Sequence, residues 1–305
     1  MFHVIEFARM GVGTKSMATL STAYLNALAY TRVRKQGADL KEAANKAAPR
    51  VEIIHHPDVK RMLMLQKAFA EGLRAVVMWT AHLQDQVMLR GGHGHPEAKT
   101  LDALNDLMLP LIKGYGSEKV YELLGVSLQC FGGSGYCQDY PIEQYIRDQK
   151  IDSLYEGTTH IQALDLFFRK IGRDRGATLQ GLLGQIKATV DALPAELDVE
   201  KAALGTALGD VQGIVMGMLG KLGQSVYHVG LQGNRILFAL AELVIGWRLA
   251  VSAQAAVAKA GDPFYAGKLA AVRFYAKNVL PGIGLTRRLV EAGDLDLMTV
   301  ADDAW

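Results

Sequence analysis

The sequence has 305 residues, of which 50% are hydrophobic and 21% charged, a composition typical of a globular protein with a sizeable core. The formal net charge of +2 gives no reason to expect a nucleic-acid or anionic-membrane partner. The two cysteines, Cys130 and Cys137, lack CxxC spacing, and residues 1–10 show no secretory signal. We interpret both cysteines as buried free thiols, which predicts a cytoplasmic protein.

Long helices are predicted in the first half of the chain. Apolar residues at helical spacing predict a helix over residues 10–34, and a polar connection follows over residues 36–56. Pro57 stands where the first turn of a helix tolerates proline, and the helix that it begins continues to about Leu89. The run Gly-Gly-His-Gly-His-Pro at 91–96 ends that helix.

A third long helix is predicted over residues 97–128, with a kink at Pro110. A shorter helix begins near Ile161, after an abrupt corner at Glu156. Three long helices and a shorter one predict a helical bundle, and no β-rich stretch competes with an all-α fold.

The composition changes after Arg175, where the helical segments become richer in alanine and glycine. We place a domain boundary there, giving a first domain of residues 1–175 and a second of residues 176–305. The helices predicted in the second domain are 176–195, 200–220, 224–259, 264–278 and a short one after Pro281.

Two features of the second domain concern packing. The most apolar window, 236–251, contains Glu242 and Arg248, which favours a buried helix over a membrane span. A series of glycines lacks the strand context of a phosphate-binding loop and predicts close contacts between helices. The series consists of Gly205, Gly209, Gly213, Gly217 and Gly220.

The stretch Ile-Asp-Ser-Leu-Tyr-Glu-Gly-Thr-Thr-His-Ile-Gln at 151–162 carries the strongest functional signal. It sets Glu156 at a Gly-Thr corner, where Leu154 and Tyr155 could keep its carboxylate dry and poised as a base. The tetrapeptide alone is more typical of a plain helix N-terminus capped by a threonine, and the further elements reverse that preference. Two further elements precede it, Gln-Cys-Phe-Gly-Gly-Ser-Gly-Tyr at 129–136 and Arg147–Asp148.

These three elements, in this order and spacing, resemble the acyl-CoA dehydrogenase family, whose catalytic base lies in a Tyr-Glu-Gly-Thr run. The first domain resembles the family's C-terminal helical bundle, and the second resembles the extra helical domain of its larger members. The runs 9–13, 56–63 and 161–165 are most similar to those larger enzymes. The family's N-terminal helical domain and β-barrel have no counterpart here, so the resemblance implies either a fragment or a separate chain for that half.

The resemblance implies FAD-dependent dehydrogenation of an acyl-CoA to the trans-2-enoyl-CoA, as in fatty acid β-oxidation. Glu156 would take the α-proton of the thioester, and its backbone N–H, with a flavin hydroxyl, would stabilise the enolate. The β-hydrogen would leave as hydride to FAD, and electrons would pass to an electron-transfer flavoprotein.

The resemblance also assigns residues near the flavin and the substrate. Thr158 matches a threonine that contacts the flavin, and His160 stands where many members carry glutamine. Arg9 lies near the base and the thioester, although an ion pair with Glu6 or Asp148 is an equal alternative. Tyr155 lines the acyl pocket and Gly157 adjoins the substrate.

Three more residues match positions that bind the FAD of a neighbouring subunit, which implies a homodimer or higher oligomer. Gln129 and Gly133 match the turn that holds the adenosine end, where a glycine lets the backbone approach closely. Arg34 matches the arginine that pairs with the pyrophosphate. The aromatic-glycine step expected after it is Gln36–Gly37 here, so Arg32 is a possible substitute.

The remaining polar groups are interpreted as structural. Arg147–Asp148 is expected to form an ion pair that braces the corner. The histidine pairs 55–56 and 93/95 lack further ligands at suitable spacing, so no metal site is predicted.

Three alternatives remain open at this stage. An acyl-CoA oxidase would differ in letting oxygen reach the reduced flavin. A non-catalytic partner subunit would only complete a flavoprotein dimer, but it would not need Glu156. Nucleic-acid binding would require a basic region that residues 176–305 lack.

Overall fold

The computed structural model describes residues 2–305, and within that range it is built from helices without a named β-strand. One isolated antiparallel bridge joins Lys35 to Glu52 in the connection after the first helix. The prediction of an all-α fold is therefore confirmed.

Six helices form the first part of the chain. They are α1 (Phe2–Val33), α2 (Pro57–Leu89), α3 (Lys99–Pro110), α4 (Gly116–Phe131), α5 (Ile142–Lys150) and α6 (Thr159–Leu164). The predicted bounds of α2 are confirmed, because Pro57 and the glycines after residue 90 are local signals for its start and end. Helix α1 begins earlier than predicted.

Two π-helical segments interrupt the regular α pattern. The first, Leu111–Tyr115, joins α3 to α4 directly after Pro110, and the second, Asp165–Ile171, continues α6. Proline has no N–H and crowds the carbonyl four residues earlier, so the regular ladder cannot pass through Pro110 unchanged. The predicted irregularity there takes the form of a widened turn, a feature often found at functional sites.

Five helices follow in the second part of the chain. They are α7 (Ala177–Asp191), α8 (Asp198–Leu222), α9 (Tyr227–Ala256), α10 (Pro263–Asn278) and α11 (Pro281–Ala292). Helix α9 crosses the interior and packs against α2, α6, α8 and α10. One hydrophobic core extends through both parts of the chain, so the boundary at residue 175 stays a prediction.

Two helical segments are long and apolar enough to cross a membrane. Of the apolar window in Tyr227–Lys259, 72% is buried, as in the core helix of a folded domain, which agrees with the predicted burial of residues 236–251. The window in Ala195–Leu222 is 39% buried and keeps an apolar face exposed.

Two packing predictions are wrong. Of the five glycines in α8, a Cβ at Gly213 would lie 2.5 Å from Arg287 Nε, whereas Gly205, Gly209 and Gly220 have no atom within 4 Å. Most of the glycine series therefore faces away from other helices.

The second wrong prediction concerns the cysteines. Cys130 is buried as expected, and burial raises the pKa of its thiol to about 11. Cys137 is exposed, because it follows the turn at 132–136.

A buried polar cluster joins the first π-helical segment to α9. The Tyr115 hydroxyl donates a hydrogen bond of 2.8 Å to Glu242 Oε1, and the Tyr275 hydroxyl donates one of 3.0 Å to the Glu242 carbonyl. Both tyrosines are fully buried. Burial raises the pKa of Glu242, and the bond from Tyr115 only partly offsets that shift. The two parts of the chain are thus connected by polar contacts as well as by apolar packing.

Replacing Glu242 by glutamine should make stability less dependent on pH. The pKa of Glu242 is higher in the folded state than in the unfolded state. The wild type is therefore most stable below the ordinary pKa of 4.5, and its stability decreases as the pH rises towards the folded-state pKa. Glu242→Gln removes this loss, so the variant should gain stability relative to wild type between pH 4.5 and 7. Urea unfolding at both pH values measures the difference. An unchanged difference would contradict the assignment, and Glu42→Gln, which changes an exposed carboxylate in the connection after α1, is the control.

Candidate functional site

The corner around Glu156 has an unusual backbone. Ile151–Ser153 forms a single short 3-10 turn, after which Glu156 (φ 55°) and Gly157 (φ 87°) are both left-handed. Helix α6 then begins with Thr158 at its N-cap position. Glycine adopts this conformation freely, but a glutamate there carries strain, which in folded proteins concentrates at functional sites.

Buried donors support the corner from behind. Gln162 Nε2 donates to the carbonyls of Glu156 and Gly157, at 3.1 and 3.2 Å. Lys113 Nζ, on the first π-helical segment, donates to the Gly157 carbonyl at 2.6 Å. Thr159 Oγ1 donates to Glu118 at 2.8 Å and fixes the first turn of α6. The corner carbonyls are therefore saturated by side chains of the bundle.

The backbone N–H of Glu156 has no acceptor within residues 2–305. It thus differs from the two carbonyls, each of which accepts at least one hydrogen bond. An unpaired N–H beside a carboxylate at an open corner can donate to an oxygen of a bound molecule, which is the geometry required of an oxyanion donor.

Ion pairs fasten neighbouring elements to the corner. Arg9 of α1 pairs with Asp165 of the second π-helical segment at 2.6 Å, so its partner is neither of the two predicted acids. Lys15 pairs with the buried Asp152 at 3.0 Å and donates to the Asp148 carbonyl at 3.0 Å. These contacts hold α1 against both sides of the corner.

The predicted brace between Arg147 and Asp148 is wrong. Arg147 pairs with Glu143, one turn earlier in α5, at 3.0 Å, while the Asp148 carboxylate accepts from Gln144. Adjacent residues on a helix point in different directions, so each acts with a partner one turn away. The brace is provided by Lys15 and Asp152 instead.

The expectation of a dry carboxylate is not met by this chain alone. Glu156 is exposed, and the intended walls Leu154 and Tyr155 are 51% and 42% exposed. Ile161, half exposed, lies on the first turn of the helix that follows. Apolar side chains therefore surround the carboxylate but leave it uncovered, so any exclusion of water requires a further surface.

The other residues predicted near the corner are found beside it. Thr158 is exposed, and its side chain makes no capping bond. His160 is half-buried against α9, since a Cβ at Gly233 would lie 3.8 Å from His160 Cε1. Their contacts with a flavin stay predictions.

Arg34, Gln129 and Gly133 lie at the opposite end of the bundle. Tyr30, one turn before Arg34, packs its ring 4.5 Å from that of Phe131 and donates to Ser134. Arg9 and Arg34 are 25 positions apart on α1 and its end, a separation of about 38 Å at 1.5 Å per residue. The predicted site residues therefore form two separate groups.

The chemistry of this second group fits a dinucleotide. Arg34 and Arg32 are exposed, and neither has an ion-pair partner among residues 2–305. Gly132 is left-handed (φ 58°) with no atom within 4 Å, which leaves room for close approach to the turn. The Arg34 backbone is fixed by hydrogen bonds with Tyr30 and Ile53. Unpaired guanidinium groups beside an open glycine turn suit a pyrophosphate.

Among residues 2–305 no group of three potential ligands could hold a metal ion. His93 hydrogen-bonds Asp102 at 2.8 Å, and His55 lies 3.8 Å from Glu52. His93 also lies 3.9 Å from Glu6.

Sequence reasoning missed Lys113, Gln162 and Asp165, the groups that hold the corner from within. A signal existed for Lys113, because it is the one charged residue in Leu-Pro-Leu-Ile-Lys-Gly-Tyr at 109–115. A lysine in such an apolar run is rarely buried without a partner.

Two family models match the chain. One describes the acyl-CoA dehydrogenase C-terminal domain and covers residues 2–169, and the other, described as acetyl-CoA dehydrogenase C-terminal like, covers residues 182–301. The broad-specificity linear acyl-CoA dehydrogenase FadE5 of Mycobacterium tuberculosis is 52% identical over 100% of this chain and 52% of its own length. The 3-methylmercaptopropionyl-CoA dehydrogenase of Ruegeria pomeroyi is 32% identical over 96% and 50%.

Solved structures show the same fold. An acyl-CoA dehydrogenase from Bacillus anthracis, complexed with FAD, superposes with a TM-score of 0.74 at 18% identity, covering 98% of this chain and 51% of that one. The chain thus spans about half the length of the curated relatives it matches. On the match of residues 2–169, it belongs to the acyl-CoA dehydrogenase family, as a C-terminal helical region.

Proposed function

We propose that the complete protein containing this chain is an FAD-dependent acyl-CoA dehydrogenase that forms trans-2-enoyl-CoA, with Glu156 as the base. The observation that carries this proposal is the left-handed Glu156 on a corner whose carbonyls are fixed by buried donors. A base that must reach a weakly acidic carbon needs such a fixed position.

In this proposal Glu156 removes the α-proton of the thioester, and its own unpaired N–H donates to the thioester carbonyl oxygen as negative charge develops there. Glu156 then supplies both the base and a stabilising donor. The hydrogen bonds to the Gly157 carbonyl keep its carboxylate and its N–H in a fixed position relative to each other. Leu154 and Tyr155 form part of the apolar surround, and the cover comes from outside residues 1–305.

Arg9 serves the substrate end indirectly. Its ion pair with Asp165 is largely buried, so the guanidinium contributes a fixed charged wall next to the corner. Gly157 packs tightly against α6, because a Cβ there would lie 3.1 Å from both Ile161 and Gln162, and its place next to the substrate belongs to the same proposal.

FAD, when bound, accepts the β-hydrogen as hydride. We assign Thr158 and His160 to the flavin end, and Arg34, Gln129 and Gly133 to the adenosine end of a second subunit's cofactor. The separation of about 38 Å along α1 supports this division of the two groups between two cofactor molecules of a dimer. An electron-transfer flavoprotein as acceptor belongs to the same proposal, as does a cytoplasmic location consistent with two free cysteines.

Linear acyl-CoA thioesters are the proposed substrates, because the relative with 52% identity is named for them. An acyl-CoA oxidase is the second candidate. Structures of oxidases share the fold, with a TM-score of 0.70 at 17% identity for one from Yarrowia lipolytica, and at that identity fold alone is informative. The rate of reoxidation of the reduced enzyme by air in stopped flow separates the two.

Glu156→Gln in the complete protein should reduce turnover by about 10²–10⁴-fold, the usual effect of losing a positioned base, while flavin remains bound. The amide keeps the size of the side chain but cannot take a proton. Substrate-induced bleaching of the flavin absorbance measures the rate. Glu196→Gln, at an exposed position remote from the corner, should match wild type. Bleaching of Glu156→Gln at the wild-type rate would refute the assignment.

Arg34→Ala should weaken FAD retention and dimerisation together, whereas Arg32→Ala should do much less. A charge-assisted bond to a phosphate is worth about 1.5–3 kcal/mol, and a solvated arginine contributes almost nothing. A ligand that bridges subunits also stabilises the dimer by linkage. Flavin content and sedimentation over a dilution series measure both effects. Loss of flavin in Arg32→Ala with retention in Arg34→Ala would show that the residues are assigned in the wrong register.

A further inference from the structure

Lys113 is fully buried beneath the Glu156 corner. It lies in the π-helical segment Leu111–Tyr115, between Pro110 and α4. Burying an ammonium group is costly unless it is paired, and an apolar residue at this position would avoid that cost. Packing alone therefore does not explain why a charged residue is buried at this position.

The surroundings of the ammonium are asymmetric. Its hydrogen-bond acceptor within residues 2–305 is the Gly157 carbonyl, at 2.6 Å, and no carboxylate lies within ion-pair distance. Asp152, Glu118 and Glu156 attract the charge from farther away, and Arg9 opposes it. Asp152 already pairs with Lys15, and Glu118 already accepts from Thr159. Of these carboxylates, Glu156 alone has no hydrogen-bond or ion-pair partner among the described residues 2–305.

We propose that Lys113 is a positioning residue: its buried ammonium holds the Gly157 carbonyl and thereby fixes Glu156 in the left-handed conformation. This inference rests on the proposed role of Glu156 as base.

Helix α9 determines where Lys113 can be. Gly114, the next residue, lies so close to α9 that a Cβ there would be 2.8 Å from Leu237, and it would also be 3.0 Å from Gln162 of α6. Tyr115 donates to Glu242 of α9 at 2.8 Å. Contacts from the second part of the chain thus fix both residues that follow Lys113, and with them the direction of its side chain.

Deprotonation of Lys113 should be visible in the pH profile. Burial lowers the pKa of Lys113 to about 8, with Arg9 of α1 acting in the same direction and Asp152, Glu118 and Glu156 against it. The charge is present below that pH and is lost as pH rises through it. Above pH 8 the amine holds Gly157 more weakly, so wild-type kcat should decline.

The test compares Lys113→Met and Lys113→Arg in the complete protein with bound FAD. Lys113→Met should lower kcat by on the order of 10²-fold, as expected for a base displaced by about 1 Å, with little change in KM. Lys113→Arg, which stays charged, should lose the decline near pH 8.

Lys221→Met is the matched control. Lys221 also donates to backbone carbonyls, those of Val290, Glu291 and Gly293, but at the end of α11. Its removal should lower stability and leave the pH dependence of kcat unchanged.

Amide hydrogen exchange of residues 154–162 gives a readout independent of activity. Exchange should become faster in Lys113→Met and stay at the wild-type rate in Lys221→Met. Unchanged exchange in Lys113→Met would overturn the inference. If Lys113→Met does not fold, a decline near pH 8 that persists in Lys113→Arg would overturn it instead. An inactive wild type with altered exchange in Lys113→Met would refute the proposed function but not the positioning role.

Discussion

The site depends on a sharp reversal of backbone direction between Ser153 and Thr159. Two successive left-handed residues, Glu156 and Gly157, make that turn and free two carbonyls that a helix would otherwise use. Buried amide and ammonium donors from Gln162 and Lys113 saturate those carbonyls. Because these donors are buried, they hold a strained glutamate more rigidly than solvent could, and the strain is balanced by the surrounding bundle.

The two π-helical segments provide the side chains through which the bundle contacts the corner. Lys113 of the first segment donates to the Gly157 carbonyl, and Asp165 of the second segment pairs with Arg9. Each widened turn moves one side chain out of the regular helical register. Helix α9 supports the first segment through Tyr115 and Glu242. The second part of the chain therefore has a physical connection to the corner.

Local signals explain which predictions succeeded. Helix α2 could be delimited because Pro57 and the glycines after residue 90 act through the backbone, and the Glu156 corner could be found from a contiguous motif. Lys113 could not be assigned a role, since its direction is determined by contacts with α9 more than 120 residues away. Exposure also depends on tertiary contacts: the glycines of α8 have a helical pattern, but most of them face away from other helices, and the walls beside Glu156 are uncovered.

The central claim is that these residues supply the base and its support, while the cover and the flavin ring site come from elsewhere. The most direct measurement is the flavin content of the 305-residue chain, purified alone and incubated with excess FAD, against that of the complete protein. Circular dichroism first establishes that the isolated chain is helical. The account predicts that the isolated chain passes through gel filtration without stoichiometric flavin, whereas the complete protein retains it. A yellow, flavin-saturated preparation of these residues alone would contradict the account.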